Sequence, residues 1–119
     1  MDYADNAVRN TAFKCVVNTM GVTQLTVMHL DVGESIGIET HADYDQTVYV
    51  VSGQGSACLN GATVALGVGS MVAIKGGVQH NVSNTDWHRP LKLIVAYTPP
   101  KFPDGGVYET RADAEATEQ

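Results

Sequence analysis

Positive charge is scarce in this chain. Seven lysines and arginines stand against thirteen aspartates and glutamates, giving a formal net charge of -6 and a pI near 4.9. Such a balance opposes phosphate backbones and anionic lipid surfaces, so neither nucleic acid nor a membrane is an expected partner. Long hydrophobic runs are also missing: no stretch approaches the roughly 18 apolar residues that span a bilayer. The opening MDYADNAVRN has neither the basic n-region nor the apolar h-region of a secretion signal. A soluble, cytoplasmic protein is expected. Cysteine is limited to Cys15 and Cys58, far apart and in no CxxC pairing, which excludes a zinc ribbon or a dithiol redox centre. Buried thiols acting as small hydrophobes are the favoured reading, with a disulfide between them left open. The chain has no GxSxG, no P-loop and no GxGxxG leading into a helix, so nothing points to covalent catalysis.

What is present is strand. The 119 residues fit one domain, 1–119, with its core at about 13–98. Apolar and β-branched runs recur at 12–17, 22–30, 46–52, 56–60, 62–66, 70–74, 80–84 and 91–98, separated by turn signals such as DVGES, SGQG, NG and KGG. Many short strands divided by Gly, Asn and Asp turns predict an all-β sandwich or small barrel. Asn60-Gly61 is the sharpest local signal, because a two-residue type I′ hairpin needs φ > 0 at both positions. No helix of ordinary length is predicted before residue 109. PPKFPDGG (99–106) reads as a loop, and Thr110 followed by Asp113 resembles a cap opening a short helix, TRADAEATEQ, at 110–119.

Polar side chains interrupt this pattern at IGIETHADYDQTVYVV, residues 36–51. Glu39 and His41 are two apart, so on a strand they share one face. ADYD then turns the chain, and Gln46 heads a row whose parity partners, Val48 and Val50, are apolar. A Gln in such a row requires an internal partner. Tyr49 and Val51 make the other face apolar as well, which predicts cover from a second sheet or a partner subunit. In GSMVAIKGGVQHNVSN, residues 69–84, His80 follows a Gly-Gly turn and leads a short strand, where it could meet His41. Two neutral imidazoles, one carboxylate and one amide oxygen suit a single divalent Fe, Mn, Ni, Co or Zn ion with coordination positions left open. Glu39 is either a fourth ligand or a general base standing off the metal. Both imidazoles must be neutral to ligate, so metal affinity should fall below the ordinary imidazole range, about pH 6.5.

These residues carry a family resemblance: the sequence resembles a small single-domain cupin. The first cupin motif runs G, five residues, HxH, three or four residues, E, six residues, G. Gly33, Glu39, Thr40, His41, Gln46 and Gly53 follow that spacing, with Glu39 in a His position and Gln46 in the Glu position. The second motif runs G, five residues, PxG, two residues, H, three residues, N. Gly69, Lys75, Gly76, Gly77, His80 and Asn84 match it, with Lys75 in the Pro position. The resemblance covers roughly 13–108, and the ending TRADAE is similar to small cupins labelled mannose-6-phosphate isomerase-like. It implies a double-stranded β-helix, a jelly-roll-like barrel of two antiparallel sheets. It also implies a metal centre inside the barrel held by His41, Gln46 and His80, with Glu39 as ligand or base.

Three functional readings follow. The first is a metal-dependent isomerase or epimerase moving a proton on a small carbonyl or sugar-type substrate. An Fe(II) dioxygenase built on His41, His80 and Glu39 is the second, and a non-catalytic module binding a small ligand or metal the third. Lys75, Arg89, Lys92 and Lys101 form no cluster in sequence, so a neutral sugar or a keto acid suits the site as well as a sugar phosphate. A homodimer is expected, because so short a barrel leaves edges and apolar outer faces to cover. His29 reads as pocket mouth or solvent, and His88 as exposed. Asp43 and Asp45 read as turn formers, Tyr49 and Tyr97 as packing residues, and Lys75 as a rim charge.

Overall fold

Alternating burial builds the molecule. The structure, a computed structural model, describes residues 2–117. In β3 (Asp45–Ser52) Gln46, Val48 and Val50 are buried, whereas Thr47, Tyr49 and Val51 are half-buried. That is the pattern of a strand with one face on a core. The inward row continues through Leu91, Leu93, Val95 and Tyr97 of β8 (Leu91–Thr98) and through Thr26, Met28 and Leu30 of β2 (Gln24–Leu30). With β6 (Met71–Ile74), β1 (Lys14–Thr19) and β9 (Val107–Tyr108) these strands form a six-stranded antiparallel sheet in the order β6-β3-β8-β2-β1-β9. A three-stranded antiparallel sheet, β5 (Ala62–Leu66), β4 (Gly55–Leu59) and β7 (His80–Asn84), is ordered β5-β4-β7. Ala57, Leu66 and Val82 from the smaller sheet join Met28, Val48 and Leu93 from the larger in one core.

The predicted hairpin is present. Asn60 and Gly61 have φ of 47° and 84°, joining β4 to β5 with Leu59 opposite Ala62. By contrast, the segment carrying Glu39 and His41 is not the regular strand that its spacing predicts. Residues 35–39 run beside β7 through isolated bridges, Ser35 to Ser83 and Glu39 to His80, and Gly37 (φ 104°) breaks the run between them. The Asn81 side-chain oxygen accepts from the Gly37 N–H at 2.9 Å, so the interruption is held by β7 itself.

Two elements lie outside the expected pattern. Helix α1 (Tyr3–Arg9) starts at Asp2, whose carboxylate accepts from the N–H groups of Ala4 and Asp5, a cap of ordinary kind. It packs on the outer face of β2, β3 and β8. At its C-terminal end Lys92 donates to the Asn10 carbonyl and meets His29 Nδ1 at 2.7 Å. Burial holds the Lys92 amine below the usual lysine range. His29 also meets Asp31 at 2.7 Å, so it belongs to this outer cluster. The second unexpected element is β9, which pairs with β1 through Lys14–Tyr108 and Cys15–Val107.

Helix α2 (Arg111–Thr117) begins as predicted: the Thr110 hydroxyl accepts from the Asp113 N–H, and the Asp113 carboxylate accepts from the Thr110 N–H. Residues 118–119 of the expected helix lie outside the described residues. The 99–106 loop is tied down by a side chain that sequence reasoning passed over. Gln24, fully buried, accepts from the N–H groups of Lys101 and Phe102 and donates to the Phe102 carbonyl and to Thr19. Cys15 and Cys58 are free and half-buried. Burial, then the Glu109 carboxylate, push the Cys15 thiol up. Among the described residues no helix is long and apolar enough to cross a membrane.

Candidate metal centre

The bridge between Glu39 and His80, with the turn that follows Glu39, brings three donors together. Glu39, His41 and His80 each offer one ligand atom, and these atoms all lie within 4.8 Å of one another. Glu39 Oε2 and His41 Nε2 are 3.1 Å apart, and the two imidazole centroids are separated by 5.8 Å. His80 and Glu39 exchange both backbone hydrogen bonds, N–H to carbonyl at 2.8 and 2.9 Å. The irregular segment 35–39 therefore delivers its side chains to β7 as firmly as a strand would.

Gln46 completes the group from the opposite sheet. Its amide nitrogen lies 3.2 Å from His80 Nε2, and both residues are buried. The tautomer of His80 follows from its other nitrogen, which faces the Val78 carbonyl at 2.9 Å. A carbonyl only accepts, so Nδ1 carries the proton and Nε2 presents a lone pair to the cluster. That second contact is the usual way a metal-binding imidazole is oriented. The Gln46 amide donates into that lone pair here; turned over, it would present its oxygen beside the same point.

Two turns lock His41 in place. Gly77, at φ 90°, donates its N–H to the His41 carbonyl at 2.8 Å, and Gly76 donates to the Asp45 carboxylate at 2.8 Å. Asp45 thus ties the 41–45 turn to the 75–77 turn, a turn-forming role. Asp43 is exposed and lies outside the donor group; Lys75 is exposed on the second turn, and His88 is exposed. Glu39 and His41 keep 20% and 18% of their side-chain surface, so the buried side of the group is closed by His80 and Gln46 while the other side is reachable from solvent. A depression of about 210 Å³ is lined by Ile38, Cys58, Gly61, Gln79, His80 and Asn81, so it borders the donor group at His80.

Aromatic side chains line the route away from the donors. Tyr44 stacks on His41 at 4.7 Å, Tyr97 meets Tyr44 edge-on at 5.5 Å, and Phe102 meets Tyr97 at 5.4 Å. Tyr97 is a packing residue as read from sequence, and also the hydroxyl that accepts from the buried Lys14 ammonium at 2.6 Å. Sequence reasoning found neither Lys14 nor Tyr44; no local pattern marks either. Tyr49 lies on the other face of β3, half-buried among Leu25, Thr47, Met71, Ile94 and Ala96.

A Cupin_2 family model, described as a cupin domain, matches residues 26–97, and the chain belongs to that family. The uncharacterized protein YrkC of Bacillus subtilis (strain 168) is 36% identical over 116 residues, 92% of this chain and 62% of that protein. An uncharacterized protein of Acanthamoeba polyphaga mimivirus is 32% identical over 110 residues, 87% of this chain and 66% of that one. The chain thus spans about two thirds or less of the length of either relative. Among solved structures, BH2720 from Bacillus halodurans superposes with a TM-score of 0.93 at 36% identity, over 98% of this chain and 92% of that one. KdgF from Halomonas sp. shares the fold at a TM-score of 0.70 and 19% identity, over 74% of this chain and 78% of that one.

Proposed function

We propose that this cupin binds one divalent transition metal through His41, His80 and Gln46, with Glu39 as fourth ligand or general base, and acts on a small polar carbonyl or sugar-type substrate by proton transfer. The observation that carries the reading is the approach of Glu39, His41 and His80 within 4.8 Å, together with the tautomer that leaves His80 Nε2 unprotonated. The donor set suits the ion: neutral nitrogen and oxygen ligands with one carboxylate match Fe, Mn, Ni, Co or Zn. When bound, such an ion polarises a carbonyl or hydroxyl oxygen. The chain supplies the rest. His80 and Gln46 close the inner side and hold the substrate's oxygen to one approach, while Tyr44 and Tyr97 cover the wall beside it. Glu39, partly open to solvent, is the group placed to accept a proton from the adjacent carbon and return it, the exchange an isomerase or epimerase requires.

The test is deuterium incorporation into small α-hydroxycarbonyl compounds by metal-loaded protein in D₂O. Glu39→Gln is expected to retain metal through His41, His80 and Gln46 while exchange falls about 10²–10⁴-fold. Exchange that survives in a metal-loaded Glu39→Gln protein rules out Glu39 as the base. The two-His, one-carboxylate grouping also supports the Fe(II) dioxygenase reading. Oxygen consumption by Fe(II)-loaded protein, with no exchange under anaerobic conditions, would favour it. A metal site that supports neither reaction would leave a non-catalytic ligand-binding module.

We also propose a homodimer across the outer face of the large sheet. Met71 is 67% exposed beside the half-buried Leu25, Tyr49 and Ile94, an apolar face that a second copy would cover. Met71→Asp should sediment as a monomer; a wild type that is itself monomeric contradicts the dimer. The two free thiols accord with a reducing, cytoplasmic setting, and one domain spanning 1–119 accords with the shared core.

A further inference from the structure

Most of the few cations in this acidic chain are accounted for away from the donor group. Arg9, Arg89 and Arg111 pair with Asp5, Asp86 and Glu115 of their own segments, and Lys92 lies beneath α1. Lys75 is exposed on its turn. Lys14 and Lys101 converge instead, from β1 and from the 99–106 loop, on the aromatic wall beside His41. Lys101 Nζ stands 4.7 Å from the Tyr44 ring and 5.6 Å from Phe102; Lys14 Nζ stands 4.2 Å from Phe102 and 5.0 Å from Tyr97. Sequence separation hides this pairing, in which Lys14 joins one of the four basic residues named from the sequence.

Connectivity ties both ammonium groups to the proposed metal position. Tyr44, under Lys101, stacks on His41. Tyr97, which accepts from Lys14, pairs across strands with Gln46, and Gln46 meets His80. Lys14 is only 4% exposed, and its amine is held against the Tyr97 hydroxyl. The ring faces hold both ammonium groups in position. Glu39 is the only carboxylate of the donor group. A divalent ion would leave that group net positive, and two lysines add to the same sign.

We propose that this wall is an anion subsite and that the substrate is a small carboxylate. Its oxygen-bearing head reaches Glu39, His41 and His80 while its carboxylate lies against Lys101 and the Lys14–Tyr97 pair. The assignment rests on the metal-centre reading for where the head goes, and on the lysine–aromatic cluster for the charge. A carboxylate suits the wall better than a phosphate ester. Lysine attracts either anion, but a phosphate ester is usually gripped as well by arginine forks or convergent backbone N–H groups, and every arginine here is paired with an acid of its own segment.

Calorimetric titration of Mn²⁺-loaded protein with pyruvate, lactate and glucuronate, each beside its neutral amide and beside inorganic phosphate, tests the proposal. At least one acid should bind tenfold or more tightly than its amide. Lys101→Met should remove most of that preference with metal content unchanged, Lys101→Arg should restore it, and Lys75→Met should leave it alone. Lys14→Met is read only where its thermal unfolding matches wild type, and should act as Lys101→Met does. Equal affinity for acids and amides, a preference indifferent to Lys101, or phosphate as the preferred anion would overturn the carboxylate subsite. Metal content, measured on the same samples, separates this failure from failure of the metal centre, which would show as protein that takes up no ion whatever anion it prefers.

Discussion

Gly53→Ala should destabilise the protein by about 2–4 kcal/mol, one of the largest losses any single methyl group could cause here. Gly53 opens the turn from β3 into β4 with φ of 93°, and a Cβ there would lie 2.5 Å from the Pro90 carbonyl oxygen and 3.1 Å from Leu91 Cα. Both contacts are backbone atoms of the segment entering β8, the strand between β3 and β2, so neither can swing aside. An alanine would have to hold a left-handed conformation and displace β8 as well. Thermal unfolding should drop by roughly 10 °C or more. Gly67→Ala is the control: no atom lies within 4 Å of its added Cβ, and the change should stay within about 0.5 kcal/mol. Equal melting temperatures for the two variants would show that the β3–β4 turn yields more easily than its packing implies. The final glycine of the first cupin motif thus has a backbone reason that has nothing to do with metal.

His80→Ala should weaken metal binding at least a hundredfold while the fold survives. The imidazole is 3% exposed and fixed by the Val78 carbonyl on one side and Gln46 on the other, so its removal takes away the most buried of the three donors. Its backbone bonds to Glu39 do not involve the side chain and remain. Competition of the variant and wild type against a chromophoric chelator reads the affinity, and circular dichroism reads the fold. His41→Ala should act in the same direction. A tenfold or smaller change in a folded His80→Ala protein would place the metal elsewhere. Because protons compete with the ion for both nitrogens, wild-type affinity should also decline on acidification.

Much of this architecture is legible in the sequence because period-two burial and turn chemistry are local. ATVAL, HNVSN and LKLIVAYT coincide with β5, β7 and β8, and Asn60-Gly61 and Thr110-Asp113 perform the turn and the cap their side chains predict. Helix α1 escapes because seven residues with one buried alanine make a weak amphipathic signal; its stability comes from the Asp2 cap and from the sheet beneath it. β9 is two residues long and depends on β1 for its existence. Of the donor group, the spacing of Glu39, His41, Gln46 and His80 is visible, but their convergence depends on the Glu39–His80 bridge and on the meeting of Gln46 with His80. The strand expected at 36–41 proves irregular because Gly37 breaks it, and β7 restores the geometry through Glu39. Lys14 and Lys101 are 87 positions apart, and strand pairing of Lys14 together with the Gln24 hydrogen bonds to Lys101 and Phe102 sets them at one wall.

The measurement that tests the central claim most directly is metal content per chain, by elemental mass spectrometry, on wild-type protein purified without an affinity tag or chelator and again after reconstitution. The account predicts about one divalent transition-metal ion per folded chain, in keeping with a single cluster of neutral imidazoles and one carboxylate. Folded protein that carries no metal after reconstitution with Fe, Mn, Ni, Co and Zn would contradict it.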